Sequence, residues 1–135
     1  MALSYIGADE LLETLIRKKS YGSVKHLGLS TTAPNRDGTG FTQPPESAGY
    51  AKVPIGSDPD GWAYMNNARL GSITNGTTIF FPEATAPWGT CKYFLLFDGP
   101  EDNRLLAYGL LDEPISPKEN DVPMIRPGGI VMTLR

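Results

Sequence analysis

Glycine and proline interrupt this chain so often, at 15 and 12 of its 135 residues, that short strands joined by turns become the expected framework and long helices are disfavoured. A chain of this length suits one domain, able to bury roughly two thirds of the surface its unfolded form exposes. No internal repeat, low-complexity segment or linker divides it, so residues 1–135 are read as a single unit.

One helix stands apart. Over residues 8–19, Leu11, Leu12, Leu15 and Ile16 recur at helical spacing as one apolar stripe, which the domain is expected to cover. Asp9, Glu10 and Glu13 lie early and Arg17, Lys18 and Lys19 late, in accord with the helix dipole, and Gly22 is a natural stop. Residues 1–7 then form a short N-terminal arm with Met1, Leu3, Tyr5 and Ile6 as its large side chains.

From residue 25 onward the period is two, and residues 25–135 read as a β domain. KHLGLS (25–30) is a first strand. Residues 31–49 form a long loop rich in glycine and proline, and residues 50–55 a second strand, placed at a sheet edge or strand end by Pro54, which has no amide hydrogen to donate. SDPDG (57–61) is a turn. Asn75-Gly76, between 69–74 and 77–81, predicts a two-residue hairpin, because both residues readily take the positive φ of a type I′ turn.

TCKYFLLFD (90–98) is so continuously apolar from Tyr93 that it should be a central strand covered on both faces. Strands at 104–111, 121–125 and 130–134 complete about eight, the count of a two-sheet β-sandwich or jelly roll carrying one N-terminal helix.

Composition argues against several functions. The formal charge of −3 is spread along the chain, and the basic group Arg17, Lys18, Lys19 with Lys25 reads as a helix end, so a nucleic-acid partner is not expected. No run approaches the ~18 apolar residues of a membrane span, and the first residues lack the pattern of a secretion signal. A soluble protein made in the cytoplasm, without a membrane partner, is the expectation.

Catalytic groups are scarce. The single histidine, His26, opens a strand pattern, and the single cysteine, Cys91, borders an apolar run where a buried inert thiol is expected. One of each is too few for structural zinc, and no phosphate-binding glycine motif occurs. Asn35, Asp37, Thr39, Gly40 and Glu46 fall at EF-hand calcium positions, but Pro44 and Pro45 interrupt the run and a strand follows it. No enzyme and no cofactor are expected. Trp62, Tyr64 and Trp88, in or beside loops, offer the one candidate glycan-stacking set.

The ordered segments LGLSTTAPNRDGTG (27–40), GYAKVPI (49–55), NGTTIFFPEATAPWG (75–89), KYFLLFD (92–98) and LLAYGLLD (105–112), with the ending 128–134, resemble the small bacteriophage proteins labelled phage tail fibre proteins. The resemblance covers nearly the whole chain. It implies a non-enzymatic virion protein of tail, tail fibre or baseplate, with capsid decoration as an alternative; the aromatic set Trp62, Tyr64 and Trp88 gives the other alternative, a carbohydrate-binding module for a bacterial surface glycan. The implied partners are other virion proteins and further copies of the chain, in a homo-oligomer or multi-copy assembly. Contacts are expected through the arm (Met1, Leu3, Tyr5, Ile6) and through Asn35, Arg36 and Asp37 of the long loop.

Overall fold

A computed structural model describes residues 2–17, 25–55, 62–64, 72–101 and 103–133. In chain order the elements are β1 (Ala2–Leu3), α1 (Tyr5–Arg17), β2 (Lys25–Ser30), a 3₁₀ turn (Glu46–Ala48), β3 (Val53–Ile55), β4 (Trp62–Tyr64), β5 (Ser72–Asn75), β6 (Ile79–Phe80), β7 (Cys91–Phe97), β8 (Leu105–Ile115), β9 (Met124–Ile125) and β10 (Val131–Thr133). Among the described residues the elements are mostly strands, with a single α-helix near the N-terminus, as the composition implies. All strand pairs are antiparallel, in a five-stranded sheet β1-β8-β7-β2-β3, a three-stranded sheet β10-β5-β4 and a two-stranded sheet β6-β9.

The main core lies where the large sheet meets the two small ones, a sandwich-like arrangement. Leu27, Leu29, Cys91, Phe94 and Leu111 from β2, β7 and β8 meet Phe81, Ile125 and Ile130, with Ile79 and Met132 packed alongside. Leu95, Phe97 and Leu105 form a smaller cluster covered by Phe41 and Tyr108. β7 therefore contributes buried side chains to both clusters, and it is paired with β2 on one side and β8 on the other. The continuous apolar run at 93–97 is explained by this position. β3 is an edge strand, the place in a sheet where proline is tolerated, and its Pro54 is exposed.

Three sequence expectations are corrected. The N-terminal segment lies on its own domain: Ala2 and Leu3 pair with Tyr108 and Ala107, adding β1 to the sheet. The helix starts at Tyr5 rather than at residue 8, because Ser4 caps it. The Ser4 hydroxyl oxygen accepts from the Gly7 amide at 3.0 Å, and its O–H is directed at the carbonyls of Leu105 and Leu106. Lys18 and Lys19 lie outside the described residues, as does the turn expected at 57–61.

The second correction concerns Asn75-Gly76, which makes no hairpin. Neither residue has a positive φ, and β5 pairs with β4 and β10 while β6 pairs with β9. Asn75 is buried because its side chain spans separate segments. Its amide donates to the carbonyls of Thr77 and Arg126, both at 2.9 Å, and its Oδ1 accepts from Ile130 N–H at 3.0 Å.

Third, only Val53–Ile55 of the predicted strand 50–55 is extended in a sheet. Tyr50 turns into the core, where its phenol oxygen accepts the Leu29 amide at 3.1 Å and its O–H donates to Gln43 Oε1 at 2.5 Å. β3 pairs with β2 only as far as Leu27, so Tyr50 supplies the partner that the edge strand does not.

Trp88, one of the candidate stacking residues, is part of the core, at 3 % exposure. Its indole N–H donates to the Ala48 carbonyl at 2.8 Å, and its ring meets Tyr50 edge-on at 5.3 Å and Phe81 at 6.3 Å. The Gly and Pro residues around it hold irregular backbone over the core, which sequence periodicity cannot distinguish from an exposed loop.

Candidate assembly surface

The N-terminal segment and the long loop meet at one corner of the domain. The Tyr5 amide donates to the Arg36 carbonyl at 3.0 Å, and the Arg36 guanidinium lies 5.2 Å from the centre of the Tyr5 ring. Tyr5, Ile6, Asn35, Arg36 and Asp37 are all exposed there. Leu3 belongs to the pairing of β1 with β8 and is half-buried, and Met1 lies outside the described residues.

The loop holds its own shape. Thr31 N–H donates to the Thr42 carbonyl at 3.0 Å, closing the base, and Ser30 Oγ accepts the Thr42 amide at 2.9 Å. At the tip Asn35 N–H donates to the Thr39 carbonyl at 2.7 Å. The Asp37 carboxylate accepts from Thr39 Oγ1 at 2.6 Å and Thr39 N–H at 3.0 Å, and these bonds hold it below the usual carboxylate range. The side chain placed third in the EF-hand pattern thus engages its own turn. Among the described residues no three His, Cys, Asp or Glu side chains converge as metal ligands would.

The helix presents an unexpected face to this corner. Gly7 and Glu10 are its buried residues, while Leu12, Leu15 and Ile16 are 58, 64 and 78 % exposed. Three of the four residues of the stripe expected to be core therefore point away from the domain, and Leu11 is half-buried. Two contacts orient it. A Cβ built on Gly7 would fall 2.0 Å from the Leu106 carbonyl oxygen, so this glycine lets the helix lie directly on β8. Glu10 lies 2.9 Å from Arg104, which also reaches Asp98 at 3.4 Å, while Asp98 binds Lys25 at 2.6 Å. Glu10 Oε1 takes no aligned hydrogen bond, so its charge is balanced by proximity to the guanidinium. The spacing Ser4, Gly7, Glu10 traces the inner face, but hydrophobicity alone favours the other one.

Of the stacking set, Trp88 is buried and cannot present its ring to a sugar. The backbone of Trp62–Tyr64 forms β4, and the side chains of Trp62 and Tyr64 lie outside the described residues. A cleft of about 500 Å³ opens beside the end of β8, lined by Asp112, Glu113, Ser116, Asp121, Met124 and Arg126 among others, and His26 is not among its residues. Asp121 there accepts the Lys118 amide at 2.9 Å, and Ser116 shares a hydrogen bond with Thr90 at 3.0 Å. These are turn contacts rather than a nucleophile beside a base. Among the described residues no helix is long and apolar enough to cross a membrane.

In a comparison with protein families, residues 2–133 match the family described as podophage GP4 fiber I protein gp80. No curated protein matches the chain.

Proposed function

Since the chain belongs to the family of the podophage GP4 fiber I protein gp80, a phage fibre family, we propose that it is a virion structural component working through contacts with other virion proteins rather than through chemistry. The match over residues 2–133 carries this reading, because it spans every described element. The corner of Tyr5, Ile6, Asn35, Arg36 and Asp37 supplies the contact surface. It is exposed, it combines apolar, aromatic and charged groups, and its loop is pre-shaped by internal hydrogen bonds, which lowers the ordering cost of binding. The protein is made in the host cytoplasm and retained in the particle.

The test is particle composition. Virions purified from infected cells are probed for this chain, and then for a variant carrying Tyr5→Ala and Arg36→Ala. The wild-type chain should co-purify with particles, and the variant should remain folded by circular dichroism yet be depleted from them. Absence of the wild-type chain from purified virions would overturn the virion role. Full retention of the variant would remove the corner from it.

A further inference from the structure

We propose that the outward face of α1 is the seat of a second copy of this chain, paired antiparallel about a two-fold axis. The proposal rests on the assembly reading above and names the partner of one surface.

The face is large and apolar. Tyr5, Leu12, Leu15 and Ile16 are each between 58 and 78 % exposed, on the side of the helix opposite Gly7 and Glu10. Covering them in two copies would remove roughly 1,000 Å² from water, the lower bound for a specific protein interface. Single exposed apolar residues are ordinary, but a contiguous stripe of this kind on a folded domain marks an interaction site.

Its spacing indicates what covers it. Tyr5, Ala8, Leu12 and Leu15 succeed one another at three, four and three residues, the a/d rhythm of a helix seam. The series is also symmetric about position 10. In an antiparallel pair Tyr5 comes level with Leu15 of the other copy, and Ala8 with its Leu12. The small residue thus receives the large one twice, once on each side of the axis, as interlocking seams require. A surface complementary to itself under a two-fold rotation is what an isologous dimer needs, and an unrelated partner would not require that symmetry. Gly7 and Glu10, engaged by Leu106 and Arg104, lie on the other side of the helix and stay in place when copies pair.

Sedimentation equilibrium of the full chain measures the pairing, and Leu12→Glu is the variant. The native chain should give the mass of a dimer. Leu12→Glu, altering a side chain exposed in the monomer, should keep the circular dichroism spectrum while weakening association by about 100-fold or more, since each dimer then buries two carboxylates in an apolar seam. Orientation is read by oxidative cross-linking. An Ala8→Cys chain mixed with a Leu12→Cys chain should link to each other faster than Leu12→Cys links to itself; the reverse preference overturns the antiparallel arrangement. A native chain that remains monomeric at about 100 µM, or a Leu12→Glu chain that dimerises as tightly as native, overturns the pairing. Monomeric protein still found in virions sinks the pairing and leaves the virion role standing. Dimeric protein absent from virions keeps the pairing and sinks the virion role.

Discussion

Gly7 and the carbonyl of Leu106 touch so closely that a Cβ at position 7 would lie 2.0 Å from the oxygen. This contact lets α1 rest on β8 by its least hydrophobic side and turns Leu12, Leu15 and Ile16 outward. The orientation of the helix follows from backbone approach and from the Glu10–Arg104 ion pair, not from burial of its apolar stripe.

Gly7→Ala is therefore expected to destabilise the protein. Better helix propensity would contribute up to ~1 kcal/mol, but overpacking against backbone that cannot yield costs about 1–3 kcal/mol. Urea denaturation should show a net loss; a neutral or stabilising result would mean that the helix does not lie this close to β8.

Trp88→Ala should cost roughly 3–5 kcal/mol, the range for emptying a large aromatic site in a core. Trp88→Phe should cost much less, retaining the packing on Tyr50 and Phe81 while losing the bond to the Ala48 carbonyl. Thermal melts of the two variants check this. Equal stability of Trp88→Ala and native chains would return the residue to the surface.

Asn75→Asp separates a turn residue from a buried clamp. In a hairpin turn the change is mild, because Asp suits the same positions. Here the amide donates to two carbonyls, so a carboxylate would face Thr77 and Arg126 oxygens without hydrogen atoms to offer. A loss of about 2–3 kcal/mol in denaturant titrations is expected.

Alkaline pH should weaken the fold through Cys91 and Tyr50. Burial pushes the Cys91 thiol up to about 11 from an ordinary 9.0 and raises the Tyr50 phenol well above its ordinary 10.0. Both groups are neutral in the native chain and ionise first in the unfolded one. Their contribution is complete below pH 9.0, where the unfolded thiol is still protonated, and falls as pH rises toward 11. The urea midpoint followed from about pH 8 to 11 should drop, and Cys91→Ala should drop less than native. Identical pH slopes would show that the thiol is not buried in the folded state.

Hydrophobic patterning alone determined the β-rich class, the single helix near the N-terminus, the central place of the 93–97 run and the edge place of Pro54. Each is a local matter: an apolar run needs cover on both faces, and a residue without an amide hydrogen cannot sit inside a ladder. The tertiary structure decided the rest. Asn75 acts on Ile130, 55 residues away, and Trp88 on Ala48, 40 residues away, and no local window contains such pairs. Periodicity likewise reveals that α1 has an apolar side without saying whether its own domain covers it. That depended on Ser4, Gly7 and Glu10 meeting Leu105, Leu106 and Arg104, where backbone approach and charge outweighed the pull of the leucines toward the core.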